Sequence, residues 1–127
     1  MNRFNAEHHI SVPFDNDLES IRTKVAMMGK LVEQQLSLAV EAFTNGDTTL
    51  AKTVLDQDDD VDQLEESIDN ECACIIALRQ PVGHDLALLI DVIKVTNELE
   101  NIAAKAEGIA DITLQLNKSL LVSEDDG

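Results

Sequence analysis

The chain has 127 residues, a formal net charge of −16, 44% hydrophobic residues and neither Trp nor Tyr. That length allows one domain with a real core but not two. The charge excludes a phosphate backbone or a strongly anionic lipid surface as partner, and the missing aromatic rings exclude a base-stacking platform. Cations, metal ions and basic patches on other proteins are the partners such a surface suits.

In chain order, residues 1–14, "MNRFNAEHHISVPF", lack the apolar run of a signal peptide and read as a flexible N-terminal arm. A first helix is expected from Asp15 to Phe43, because Ile21, Val25, Met28, Val32, Ala39 and Phe43 step by threes and fours. "TNGD" breaks the pattern. Gly46 suits a left-handed C-terminal cap, and Asp47 can cap the next helix through its side-chain oxygen. A second helix is expected from Thr48 to Leu78, with Leu50, Val54, Val61, Leu64, Ile68, Cys72 and Ile75 as its apolar stripe. Cys72 and Cys74 lie two apart and so on different helix faces; both are expected to be reduced, with Cys72 on the core side. Pro81 and Gly83 end the second helix, and with Asp85 they start a third that runs from His84 to Leu120. Residues 121–127 form an acidic tail.

No alternating strand pattern interrupts this sequence. Long helices joined by short turns give an all-α, up-down-up three-helix bundle over residues 15–120. The most apolar stretch, "LALLIDVIKV", is too short and too charged to span a membrane, which makes the cytoplasm the expected location.

The third segment has apolar residues on two sides. Val92, Val95, Leu99, Ile102, Ala106, Ile109 and Leu116 form one stripe, expected to be the core seam. Leu86, Leu89, Ile90 and Ile93 point nearly the other way. Packing beneath neighbouring helices of the same bundle is one way to cover them. The expectation here is a homodimer, forming a six-helix assembly, with these four residues at the interface.

The acids fall in two rows. Asp58, Asp62, Glu65 and Asp69 share one face of the second helix, bordering its apolar stripe, and Glu100, Glu107 and Asp111 align on the third. Facing carboxylate rows are how helical bundles hold hard or borderline cations, which marks Asp58, Asp62, Glu65 and Glu100 as candidate metal ligands. The competing reading is a solvated acidic face. His8, His9 and His84 lie off this face, so a nitrogen and sulfur zinc site is not expected. No nucleophile–base pair and no glycine-rich phosphate loop point to an enzyme.

The segments "VEQQL", "VDQLEESID" and "ALRQPVGHDL", in this order and at these separations, resemble the first half of the PhoU family of bacterial phosphate-transport regulators. The resemblance runs from about residue 8 to about residue 115. It implies a three-helix repeat, two of which stand in tandem in typical members. It also implies a non-enzymatic regulator that contacts the phosphate-specific ABC transporter, including its ATPase subunit, and the sensor histidine kinase that reads phosphate supply. Some members hold iron or zinc clusters through paired E(D)xxxD motifs. One such motif is present as Asp58 and Asp62, but its partner reads "ENIAA", keeping Glu100 and placing Ala104 where the family carries an acid. Ala87 likewise replaces an arginine of the family's DLR. The expected function is therefore a regulatory adaptor of phosphate transport and phosphate-starvation signalling, with weak metal binding at best. A metal-binding helical bundle and a single-repeat structural accessory are the alternatives.

Overall fold

The computed structural model describes residues 2–126, with side chains placed over 13–120. All its regular elements are helices: α1 (Asn2–Asn45), α2 (Thr48–Asp56), α3 (Asp58–Arg79) and α4 (His84–Asp126). α2 and α3 together form the descending arm between two parallel helices of 44 and 43 residues, α1 and α4. At about 1.5 Å per residue each of these is about 65 Å long.

Both turns follow from local chemistry. Gly46 takes the left-handed conformation at φ 62, the Asp47 N–H reaches the Ala42 carbonyl at 2.9 Å and the Gly46 N–H reaches Phe43 at 3.4 Å. This is a Schellman end, and only glycine adopts that φ without steric cost. Asp47 then caps α2 by accepting from the Leu50 N–H at 3.0 Å, as the sequence predicts. At the second turn Gln80, φ 46, just ahead of Pro81, and Gly83, φ 57, are both left-handed; the Gln80 N–H donates to the Ile76 carbonyl at 3.1 Å.

The seam is a heptad repeat. Phe14, Ile21, Met28, Gln35 and Ala42 are buried on α1, every seventh residue, as are Leu18, Val32 and Ala39 on the alternate set. On α4 the same spacing buries Leu89, Thr96, Ala103 and Ala110, with Ala106 and Thr113 on the alternate set. A 3.5-residue period keeps two long helices in register along their whole length. The core has two parts. One is built on large side chains such as Ile21, Met28, Ile68 and Leu89. The other, around Ala39, Ala42, Ala51, Val54, Ala106 and Ala110, lets three helices approach closely.

Several expectations are corrected. α1 is helical from Asn2, through the stretch read as an arm, and Phe14 of that stretch is a heptad core residue. α4 continues as helix through residues 121–126. The second helix is broken at Gln57. Three aspartates, Asp58, Asp59 and Asp60, occupy the first turn of α3, where carboxylates stabilise a helix N-terminus through its dipole. The proposed interface of Leu86, Leu89, Ile90 and Ile93 does not form one surface. Leu89 is fully buried, Ile93 packs against the same core, Leu86 is half-buried, and only Ile90 is exposed. Conversely Val95, Ile102 and Leu116, expected in the core, are 48%, 37% and 48% exposed. The inward positions belong to the small residues of the heptad, which a search for large aliphatic residues passes over. Cys72 is buried and Cys74 exposed, both as free thiols.

Candidate functional site

The two acidic rows do face each other. α3 and α4 pack side by side, and each row lies on the flank of its helix beside the core. Glu65 of α3 lies against Glu100 of α4, and Asp58 of α3 against Glu107 of α4, each pair close enough for a carboxyl–carboxyl hydrogen bond. A carboxyl–carboxyl hydrogen bond needs one of the two protonated. Partial burial, the Glu100 hydrogen bond and the charges of Glu100, Asp69 and Asp62 push Glu65 up to about 7. The bond to Asp58 comes first for Glu107, then burial and the charges of Asp58, Asp62 and Asp111; it too is pushed up to about 7. Asp62, between the two pairs, is raised by desolvation and by the Asp58 carboxylate beside it.

One α3 acid behaves differently. Glu71 meets the Lys24 ammonium of α1 at 2.7 Å, and the same Lys24 donates to Ser67 at 2.7 Å. Burial opposes its ionisation, but hydrogen bonds from Lys24 and Ser20 prevail and hold it below the usual carboxylate range.

The candidate ligands Asp58, Asp62, Glu65 and Glu100 lie along this flank, Asp58 standing between Glu107 and Asp62, and Glu65 meeting Glu100. Ala104, the position one turn after Glu100, is exposed and supplies no oxygen. Among the described residues no three His, Cys, Asp or Glu side chains converge in a metal-holding group. The two rows make an electrostatically strained acidic flank, which a cationic partner group would relieve.

Sequence reasoning missed Gln35, the fourth residue of "VEQQL". It is completely buried, and its Nε2 donates to the Val54 carbonyl at 3.2 Å. That carbonyl lies four residues before Asp58, where the helix break interrupts the ladder. Gln35 thus supplies from α1 the donor that the break removes. Its position in the 28, 32, 35, 39 spacing was the available signal.

Residues 25–113 match the family described as the PhoU domain. The chain belongs to the PhoU family. It is 45% identical, over 97% of its own length, to the phosphate-specific transport system accessory protein PhoU of Escherichia coli, of which it covers 53%. It is 40% identical over 91% to the PhoU homolog of Pseudomonas aeruginosa, covering 48% of that protein, and 35% identical over 79% to that of Aquifex aeolicus, covering 45%. The chain spans about half the length of the curated relatives it matches. No helix among its described residues is long and apolar enough to cross a membrane.

Proposed function

We propose that this chain is a non-enzymatic regulatory adaptor of phosphate transport, acting in the cytoplasm through protein–protein contact. The observation that carries the reading is its identity, across nearly its full length, to proteins named as accessories of a phosphate-specific transport system. Two physical features support it. Long, rigid helix faces offer extended contact surfaces rather than a reaction pocket. The acidic α3–α4 flank holds Glu65 and Glu107 at raised pKa, so a lysine or arginine from a partner would gain a desolvated carboxylate there.

The partners to try are those the family resemblance implies: the ATPase subunit of the phosphate-specific transporter and the sensor histidine kinase of phosphate supply. The 127-residue chain, immobilised, should retain at least one of them from purified components at low salt. Retention should weaken as salt rises and in the double variant Glu65→Gln, Glu107→Gln. Failure to retain either protein under any salt condition would sink the reading.

A further inference from the structure

α2 is held in the bundle differently from α3. It lies between α1 and α4 and scarcely touches α3, although the two are consecutive in the chain. The core it packs into is built on small side chains: Ala39 and Ala42 of α1, Ala51 of α2, Ala106 and Ala110 of α4, with Val54 the largest of the fully buried ones. Leu50 and Leu55 of α2 are only half-buried. Apolar burial stabilises in proportion to the area removed from water, so α2 gains little from its own packing. α3, by contrast, places Val61, Ile68, Cys72 and Ile75 in the core of Ile21, Met28 and Leu89. Polar contacts also tie α3 to α1: Lys24 reaches Glu71 and Ser67, both at 2.7 Å, and Arg79 reaches Asp17 at 3.2 Å.

The two ends of α2 are equally distinctive. A helix of nine residues is too short to persist in water without packing. Before it stands the left-handed Gly46, followed by the cap at Asp47. After it, main-chain hydrogen bonding passes through one residue. The Gln57 N–H donates to the Thr53 carbonyl at 3.1 Å, and the Gln57 carbonyl accepts from the Asp60 and Val61 N–H groups at 3.1 and 3.4 Å. The Val54 carbonyl is served from outside the helix, by Nε2 of Gln35 at 3.2 Å. α2 is thus a short helix on small side chains, joined to α3 at a single-residue junction and clasped to α1 by a buried amide.

We infer that α2 is a strap. Residues 48–56 open as a unit, turning at Gly46–Asp47 and at Gln57, while α1, α3 and α4 stay packed through the core of large side chains. The Gln35 amide is the latch. Opening uncovers the alanine-lined cleft between α1 and α4 and frees the chain next to Asp58, the first acid of the α3 row. The inference is independent of the phosphate reading.

Native-state hydrogen exchange of the 127-residue chain in dilute urea, read by mass spectrometry, tests it. Amides of residues 48–56 should exchange through an opening that depends little on urea, because it exposes little surface. Those of residues 61–75 should need global unfolding, with its full urea dependence. Gln35→Glu swaps the donating Nε2 for an oxygen and should speed α2 exchange by about tenfold or more. Ala51→Gly lowers helix propensity inside the strap, leaves the Gln35 amide in place, and should speed it severalfold. Ile68→Val weakens the core that stays packed in the open form; it should speed exchange across α3 and leave α2 as it was. Exchange of α2 at the rate and urea dependence of α3 overturns the inference, since the two then open only together. So does an Ile68→Val variant in which α2 accelerates as much as α3. If Ala51→Gly speeds α2 exchange and Gln35→Glu does not, Gln35 is not the latch and the inference as stated fails.

Discussion

Gln35 sits where a coiled seam would ordinarily hold an aliphatic side chain, and a polar residue at such a position fixes register at some cost in stability. Here the benefit is specific, because its amide closes the gap in backbone hydrogen bonding at the α2–α3 break. Gln35→Leu keeps the volume but leaves the Val54 carbonyl without a donor. It should destabilise the chain by about 1–3 kcal/mol in urea unfolding. A neutral outcome would mean that water serves the carbonyl equally well. The acidic pairs make a second prediction. Glu65 and Glu107 titrate near 7 in the folded chain against an ordinary value of 4.5. The folded state therefore holds more protons than the unfolded one between those values, and stability must fall as pH rises through that window. Glu71, whose shift is downward, loses its contribution only in more acidic solution. The melting temperature should be higher at about pH 5.5 than at about pH 8, and Glu65→Gln with Glu107→Gln should flatten the difference. A residue-level prediction also attaches to Ala104. Titration with iron, zinc or manganese should find no stoichiometric site tighter than about 1 μM, and Ala104→Asp should strengthen binding by adding a carboxylate to the α4 row. Which acids share a helix face was legible from spacing alone. Which acid meets which was not, because pairing across helices depends on the stagger of α3 against α4, and no periodicity within one helix encodes that.

At the scale of elements, the turns were legible because their residues have few other uses. Gly46, Asp47, Pro81 and Gly83 mark both ends of the descending arm. The break at Gln57 carried no such mark. Val54, Val61, Ile68 and Ile75 keep a seven-residue spacing straight across it, so the apolar stripe reads as one helix. The cause lies in the Asp58–Asp60 run, whose charges act on the helix dipole rather than on the hydrophobic period. The α4 seam was misassigned for a related reason. Thr96 and Thr113 are buried because their hydroxyls donate back to the carbonyls of Val92 and Ile109, at 2.9 and 3.0 Å. Their hydrogen bonding is satisfied within the helix, so a position that looks polar in the sequence can lie in the seam. The left-handed Gln80 gives this scale its prediction. A non-glycine residue there is strained, and removing its Cβ would relax it. Gln80→Gly should raise stability by about 0.5–1 kcal/mol, while Gly46→Ala should lower it by about 1 kcal/mol, both read from urea midpoints. The opposite signs at two turns with the same backbone conformation make the pair a self-controlled test.

For the whole molecule, the governing quantity is the net charge of −16, set against the ion pairs of Lys24 with Glu71 and Arg79 with Asp17 among the described residues. The second is exposed at both partners and contributes little. Repulsion among carboxylates is therefore the larger long-range effect, and folding concentrates it by bringing the α3 and α4 rows together. Screening acts on such repulsion over a Debye length of about 30 Å at 0.01 M salt and about 8 Å at 0.15 M. Raising sodium chloride across that interval should raise the melting temperature at fixed protein concentration, because screening relieves the repulsion that folding concentrates. A melting temperature that falls with salt would show that attractive pairs, not repulsion, dominate this surface.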